Sequence, residues 1–440
     1  YGWDFTGLPF TGLLNWYPDL DFGSYTSARQ AAWSVTGNSN YVVLGGEFPK
    51  VNGIAQQGLV RFGKRTVSPH LSGPIYTSAM TPTPYSNERG LMRVPFGSAW
   101  DRDGAPITYD VFRSPATKIA TFTRTDGRFW SLPSLSIVDS GQTPGSQVRY
   151  QVRAKDADGN VQWSAWSPWI TVSDATTSTY RSAVRSSGAS HYWRLGEVTA
   201  GTRLFDDVGD TPGIPTGLTL GAAGALQGDT DAAISSAGGS TPRMTTADAV
   251  PSDATVSVEA WVNTTSTRGG RIVGFGDSAA GTSSSGGTDR VLYLDTTGRV
   301  NFAINDGAYR TVYSRGSVND GQWHHLVGTV DSTGMQLFVD GIRVGRAQAA
   351  TTPKAYTGYW RIGADQTSGF ANRPSDAGLA GSIDDVAVYP KALSQTDVQA
   401  HYTASGRTGT WGTAAADAYG NTVSSDRPDL YWRHHETAGS

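Results

Sequence analysis

Between residues 256 and 388 one pattern keeps returning: a short apolar run closed by glycine, serine, asparagine or aspartate. Segments 256–262 (VSVEAWV), 271–275, 291–295, 300–304, 324–330, 336–339, 360–363 and 383–388 each have the length and composition of a strand. Repeated short strands with turn residues between them stack as an antiparallel sandwich or jelly roll. Composition closes off the main alternative. Glutamate occurs only five times, at Glu47, Glu88, Glu197, Glu259 and Glu436, against 33 aspartates; lysine occurs six times against 29 arginines. Residues that build helix faces are scarce, whereas 54 glycines and 21 prolines supply turns. The expected fold is all-β. At 440 residues the chain exceeds one ordinary core, so tandem β-modules are expected.

Cysteine is absent, which removes disulfides, thiolate metal sites and cysteine nucleophiles. A net charge of −3 gives no general attraction to nucleic acid or anionic membrane. No apolar run approaches the roughly 20 residues that span a bilayer, and no signal segment is visible at the start. There is no G-x-S-x-G elbow and no phosphate loop; the nearest approach to the latter, GLVRFGKR, ends in Arg65. His324–His325 alternate across a strand and so do not form a metal pair, and His434–His435 read as exposed.

The chain divides by composition. Residues 75–173 carry the alternating strands 91–96 and 107–112, then VRYQVRA (148–154), the turn DADGN (156–160) and a segment with Trp163, Trp166 and Trp169. Asp156, Asp158 and Asn160 imitate half a calcium loop, but the later glutamate is missing and a hairpin turn is expected. The three tryptophans read first as packing against the sandwich or a neighbour, and second as a sugar-stacking strip. Residues 174–179 (DATTST) are a polar linker, and 405–418 form another. Tyr180, Val184, Tyr192, Trp193, Arg194 and Glu197 recur 239 residues later as Tyr419, Val423, Tyr431, Trp432, Arg433 and Glu436. Residues 419–440 therefore read as the start of a second copy of the 180–404 unit, and the chain as a piece of a longer modular protein.

Three resemblances follow from these motifs. Residues 1–74, with GGEFPKVNG at 45–53, resemble one blade of the bacterial β-propellers built from GG-(D/E)-F-x-x-V-N-G repeats. That implies the last blade of a propeller lying upstream; a small capping sheet on the next module is the alternative. Residues 75–173 resemble a fibronectin type III sandwich, with Tyr150 at its corner-tyrosine position. Residues 180–404 carry TVSVEAWVN, GQWHHLVGTVD, MQLFVDGIRVG and GSIDDVAVYPKALSQTDVQAHY in order, and resemble the laminin G-like, concanavalin A-like jelly roll of bacterial surface proteins. YWRLGE with Trp193 fits that family's first strand. Long Gly/Ser insertions such as 277–287 depart from it and blur any loop-borne site.

The last resemblance implies a calcium site, with one acid after the first strand, Asp206 or Asp207, and one in the I-D-D-V strand, Asp384 or Asp385. Calcium prefers several hard oxygen ligands, which such residues supply. Against this, adjacent side chains on a strand point to opposite faces. Sugar sites pair an aromatic platform with polar groups. Asn305, Asp306 and Tyr309 form one candidate group; Tyr359, Trp360 and Asp365 form a second, with Phe370 and Asn372 beyond. For any of these, a core or interface role is the alternative. Glycan hydrolysis is not expected: the family's E-x-D-x-x-E strand is absent, and Glu259 lies in a structural strand.

The expected function is non-catalytic: extracellular or cell-surface adhesion or glycan binding, with calcium as a cofactor and no membrane insertion. One alternative is a stalk, fibre or appendage subunit that binds copies of itself. Another is a set of accessory domains for an enzyme whose catalytic part lies elsewhere.

Overall fold

The computed structural model describes residues 16–64, 66–68, 73–102, 106–125, 127–130, 132–175, 178–198, 203–209, 211–281, 284–348, 352–411 and 417–425, with the short pair Trp3–Asp4 and Gly12–Leu13. Arg65 and most of the second-copy motif, at 426–440, fall outside these residues. Among the described residues the fold is almost entirely β, and the chain forms two compact units, Tyr1–Thr176 and Thr177–Ser440. Among the described residues no helix is long and apolar enough to cross a membrane.

In the first unit, strands Ala32–Gly37, Tyr41–Gly46 and Leu59–Gly63 form a three-stranded antiparallel sheet. Val35, Leu44 and Val60 lie opposite one another on one face, as do Val42 and Phe62, yet Val35 is 69% exposed. The same unit holds a sandwich. One sheet runs Thr117–Arg124, Ile107–Arg113, Tyr150–Lys155, Val161–Trp163; the other runs Ser134–Asp139, Leu91–Gly97, Tyr85–Glu88. Period-two alternation fills its core with Met92, Val94, Phe96, Tyr109, Val111 and Val152. Tyr150 is fully buried and donates its hydroxyl to Asp139 Oδ2 at 2.8 Å, an acid also paired with Arg113 at 2.7 Å. Tyr150→Phe leaves that carboxylate a donor short. A loss of about 1.5–3 kcal/mol is expected in a denaturant melt, since the lost bond is to a charged group. The 156–160 turn is closed by Asp156, which accepts from the Asn160 backbone and side chain at 2.8 and 2.7 Å.

The second unit is a jelly-roll sandwich of two large antiparallel sheets. The first sheet runs Thr219–Ala223, Ala232–Ala237, Ala380–Tyr389, Val256–Asn263, Trp323–Asp331, Gly334–Val339, Ile342–Ala347, and His191–Trp193 pairs with the far end of Ala380–Tyr389. The second runs Gly213–Thr216, Arg243–Thr246, Thr357–Gly363, Gly270–Gly276, Thr288–Leu294, Arg299–Asn305, Tyr309–Ser317. Between them lies an apolar core that includes Ile272, Phe275, Leu292, Phe302, Leu326 and Val388.

The first sheet has a second buried layer on its other face. Along VSVEAWV, Val256, Val258, Ala260 and Val262 enter the inter-sheet core, while Trp261 joins a separate cluster with Tyr180, Val184, Val327, Leu393 and Val398. Two short helices cover that layer. Helix α1, Thr179–Ser186, buries Tyr180, Arg181 and Val184. Helix α2, Gln395–Ala404, starts at a capping box between Ser394 and Asp397 and buries Val398 and His401. A third helix, α3, Ala418–Ser425, has the bounds of α1 displaced by the same 239 residues as the sequence repeat. Its Tyr419 is 68% exposed, whereas the matching Tyr180 is fully buried.

Candidate functional site

On the second sheet the alternation that sends Leu292, Val300, Phe302 and Ile304 inward sends Val291, Tyr293, Asn301 and Ala303 to the outer face. This face has three regions. At one end, segments 284–287 and 364–366 close on it. Asp365 accepts from the Ser285 amide and hydroxyl at 2.8 and 2.7 Å and lies 3.3 Å from Arg271 and 3.5 Å from Arg361. Burial works against its charge, but Arg271, Ser285 and Arg361 outweigh it and hold its pKa below the usual value. In the middle, Phe370 packs on Val291, Tyr293 and Ala303. Tyr293 donates its hydroxyl to the Ala371 carbonyl, and Asn372 Nδ2 donates to Asn301 Oδ1 at 3.1 Å.

The third region is open. On the edge strand Tyr309–Ser317, Tyr309 stands opposite Asn305 and Tyr313 opposite Asn301, so both tyrosines share the outer face. They are 50% and 47% exposed. Tyr309 meets Phe370 edge to face at 5.0 Å, and the Arg299 guanidinium lies 5.2 Å from the Tyr313 ring. Asp306 pairs with Arg310 at 3.3 Å, and Asn305 Oδ1 accepts from the Gly307 amide in the same turn. Two exposed rings beside paired polar groups make an amphipathic ledge of the kind that stacks on a ring with apolar and hydroxylated faces.

The two groups proposed from sequence are not brought together. Asn305, Asp306 and Tyr309 lie at the open ledge. Tyr359 lies four strand positions away, roughly 19 Å at ordinary strand spacing. Trp360 is corrected to a core residue: strand alternation turns it inward, where it packs on Phe275 at 5.1 Å. Asp365 is likewise a sealed structural acid. The sequence reading missed Tyr313, although its four-residue offset from Tyr309 on a strand already implied a shared face.

The four acids assigned to calcium are divided among separate partners. Asp206 accepts from the Tyr192 and Gly209 amides, each at 2.9 Å, and pairs with His191 at 2.8 Å. Asp207 is gripped by two nitrogens of buried Arg181. In this structure both serve contacts within the fold. Asp384 and Asp385 behave differently. A bulge between Ala380–Tyr389 and Val256–Asn263 puts Asp385 in the left-handed region, φ 47°, which breaks the strict alternation. Asp384 Oδ2 accepts from the Ala225 amide at 2.7 Å. Asp385 Oδ1 accepts from the Tyr192 hydroxyl, while among the described residues its buried Oδ2 accepts no hydrogen bond. Arg194 lies 2.7 Å from Asp229, 2.8 Å from Asp231 and 3.7 Å from Asp385. Burial, with negative neighbours, pushes Asp385 up to about 7 and Asp231 to about 6, and Asp384 well above its usual value. This pocket holds more carboxylate than Arg194 neutralises. Among the described residues, no three His, Asp or Glu are grouped as a metal ion requires.

Beneath α1 and α2 lies a buried polar network. Glu259 Oε1 accepts from Tyr180 at 2.7 Å and His325 at 2.6 Å; Oε2 accepts from Tyr389 at 2.5 Å; His401 contacts both oxygens at 3.1 Å. Burial disfavours the charge, but His401 and His325 hold Glu259 well below its usual pKa. Burial likewise lowers His401, and Glu259 reverses this to a net rise.

Residues 237–399 match the family described as the concanavalin A-like lectin/glucanases superfamily. No curated protein matches the chain. Among solved structures, domain 4 of AbnA, a GH43 extracellular arabinanase from Geobacillus stearothermophilus in complex with arabinotriose, is 16% identical. That match covers 49% of this chain and 98% of the other, at a TM-score of 0.36. The SAP-like pentraxin of Limulus polyphemus is 17% identical over 36% of this chain and 73% of its own, TM-score 0.28. The Ruminococcus gnavus IT-sialidase CBM40 bound to alpha2,3 sialyllactose is 18% identical over 34% and 83%, TM-score 0.27.

Proposed function

We propose that the chain is a non-catalytic carbohydrate-binding part of an extracellular or cell-surface protein, with the jelly roll taking the sugar. The observation that carries this is the open ledge of Tyr309 and Tyr313 on the outer face of the second sheet. The two glutamates of the jelly roll support a non-catalytic role. Glu259 is saturated beneath the helices, and Glu197 accepts from the Phe205 amide at 2.9 Å. The test is a glycan array probed with the whole chain, with calcium and with a chelator. Tyr313→Ala and Tyr309→Ala are each expected to weaken the best hit about tenfold, the worth of one good ring contact. Unchanged binding by both variants would sink the ledge as the site.

Calcium belongs to the same reading. The residues that would hold it are Asp384 and Asp385, with backbone and water oxygens completing the shell, and the support is the Asp385 Oδ2 that has no hydrogen-bond partner among the described residues. Calcium at 100 times its Kd is expected to add about 2.7 kcal/mol to the jelly-roll transition, and Asp385→Asn to abolish that gain. A melting temperature indifferent to chelator excludes this site.

The remaining modules are proposed as a terminal propeller blade (1–74), a fibronectin type III spacer (75–173), linkers at 174–179 and 405–418, and the start of a second jelly roll (419–440). The matching bounds of α1 and α3 support the repeat. Repeats would multiply weak sugar contacts through effective concentration. A second reading, a self-associating stalk, draws on the open apolar face around Val35. Sedimentation of a Val35→Asp variant tests it, and a monomeric parent chain would exclude it.

A further inference from the structure

The first unit carries a basic aromatic face in a chain whose net charge is −3. Along Tyr150–Lys155 the side chains of Tyr150, Val152 and Ala154 enter the sandwich core, so Arg149, Gln151, Arg153 and Lys155 line the outer face. Lys118 joins them from the Thr117–Arg124 strand. Asp110 answers two of these cations, taking Arg153 Nε at 3.1 Å and Lys118 at 3.4 Å. Among the described residues no carboxylate pairs with Arg149 or Lys155. Four cations therefore face one acid.

Aromatic rings hold the arginines in place. The Arg149 guanidinium lies 4.9 Å from the Trp166 ring and 4.6 Å from the Trp169 ring. Arg153 lies 5.3 Å from Trp163 and 5.5 Å from Phe112. Two serines pin the tryptophan segment to the strand: Ser164 Oγ accepts from the Val152 amide at 2.9 Å, and Ser167 Oγ from the Tyr150 amide at 3.0 Å. Stacking occupies the flat faces of a guanidinium and leaves its N–H edge for a planar anion. A cation already fixed by stacking also loses less side-chain entropy on binding. Trp163 and Trp169 remain 40% and 50% exposed.

We propose that this face binds an anionic polysaccharide that carries carboxylates along its chain. The Arg149 guanidinium and the Lys155 ammonium would take the carboxylates and the exposed tryptophan surface the apolar sugar faces. Arg149 precedes the strand and Lys155 ends it, so the two unpaired cations are well separated, with exposed indoles between and beside them. A few separated cations among exposed rings suit a polymer whose units offer both a carboxylate and an apolar face better than a nucleic acid strand, which needs a basic groove tracking phosphate after phosphate. The site belongs to the other compact unit from the jelly-roll ledge, so the two succeed or fail separately.

The experiment titrates the whole chain with polygalacturonate, with the same polymer fully methyl-esterified, and with oligo-dT. The expected result is binding to the free acid alone, about tenfold weaker in Arg149→Gln and falling as salt rises from about 0.05 to 0.5 M. Trp169→Ala is expected to lose binding and Tyr313→Ala to keep it, each with an unchanged melting temperature. No binding to the acid, equal binding to acid and ester, or full binding by the Arg149→Gln/Lys155→Gln double variant overturns the proposal. Tighter binding to oligo-dT than to polygalacturonate overturns the saccharide as occupant.

Discussion

Glu259→Ala is expected to destabilise the jelly roll by about 3–5 kcal/mol, the cost of removing one partner from a buried charged network. The substitution strands two histidines and two tyrosine hydroxyls in a dry layer, because His325, His401, Tyr180 and Tyr389 all converge on this carboxylate. At roughly 2–4 °C per kcal/mol for a domain of this size, the calorimetric transition should fall by about 6–20 °C. A fall under about 2 °C would mean that the network contributes little.

The same network sets a pH window. Glu259 is depressed in the folded state, so its contribution is complete above its ordinary value of 4.5 and is lost as pH falls through the lower folded value. His401 is raised, so its contribution is complete below its ordinary value of 6.5 and is lost as pH rises through the higher folded value. The groups facing His401 are Glu259, Asp397 and Ser187. Stability from this network should therefore plateau between those two values, and Glu259→Ala should flatten both flanks. Melting temperatures measured across that range in parent and variant check the shape.

Phe302→Ala is expected to cost about 3–5 kcal/mol through lost burial and the cavity left behind. Its interest lies in what faces it. A Cβ placed on Gly328, across the two sheets, would sit 2.3 Å from the Phe302 ring. Gly328→Ala alone should therefore cost about 1–3 kcal/mol by overpacking. In the double variant the new methyl enters the space vacated by the ring, so the two losses should not add. Strict additivity in urea melts would show that the two positions do not share one volume.

The second of these predictions marks a limit of reading a chain by its periodicity. Short apolar runs placed strands at 256–262 and 300–304. They could not find that Gly328, some 26 residues on, is the surface the Phe302 ring packs against. The candidate site divides in the same way. Tyr309 was legible as an aromatic in a polar turn. Trp360 carried the same local signal and is core, because its strand is central in the sheet and its parity points inward. Facing apart was the alternative to a calcium role for Asp384 and Asp385, and a bulge breaks the strict alternation there.

What the sequence by itself determined is the local physics. Turn residues close short apolar runs, helix formers are too few for long helices, and six residues recur at one offset of 239. Only the tertiary structure decided which partners meet. His401 reaches Glu259 from a helix 142 residues away, and Arg149 finds the faces of two tryptophans beyond the end of its own strand. Burial then sets the charge of each group, because a carboxylate keeps its proton or loses it according to what the fold places beside it. No local pattern carries that information: in an antiparallel sandwich the neighbours that set a side chain's environment arrive from distant strands.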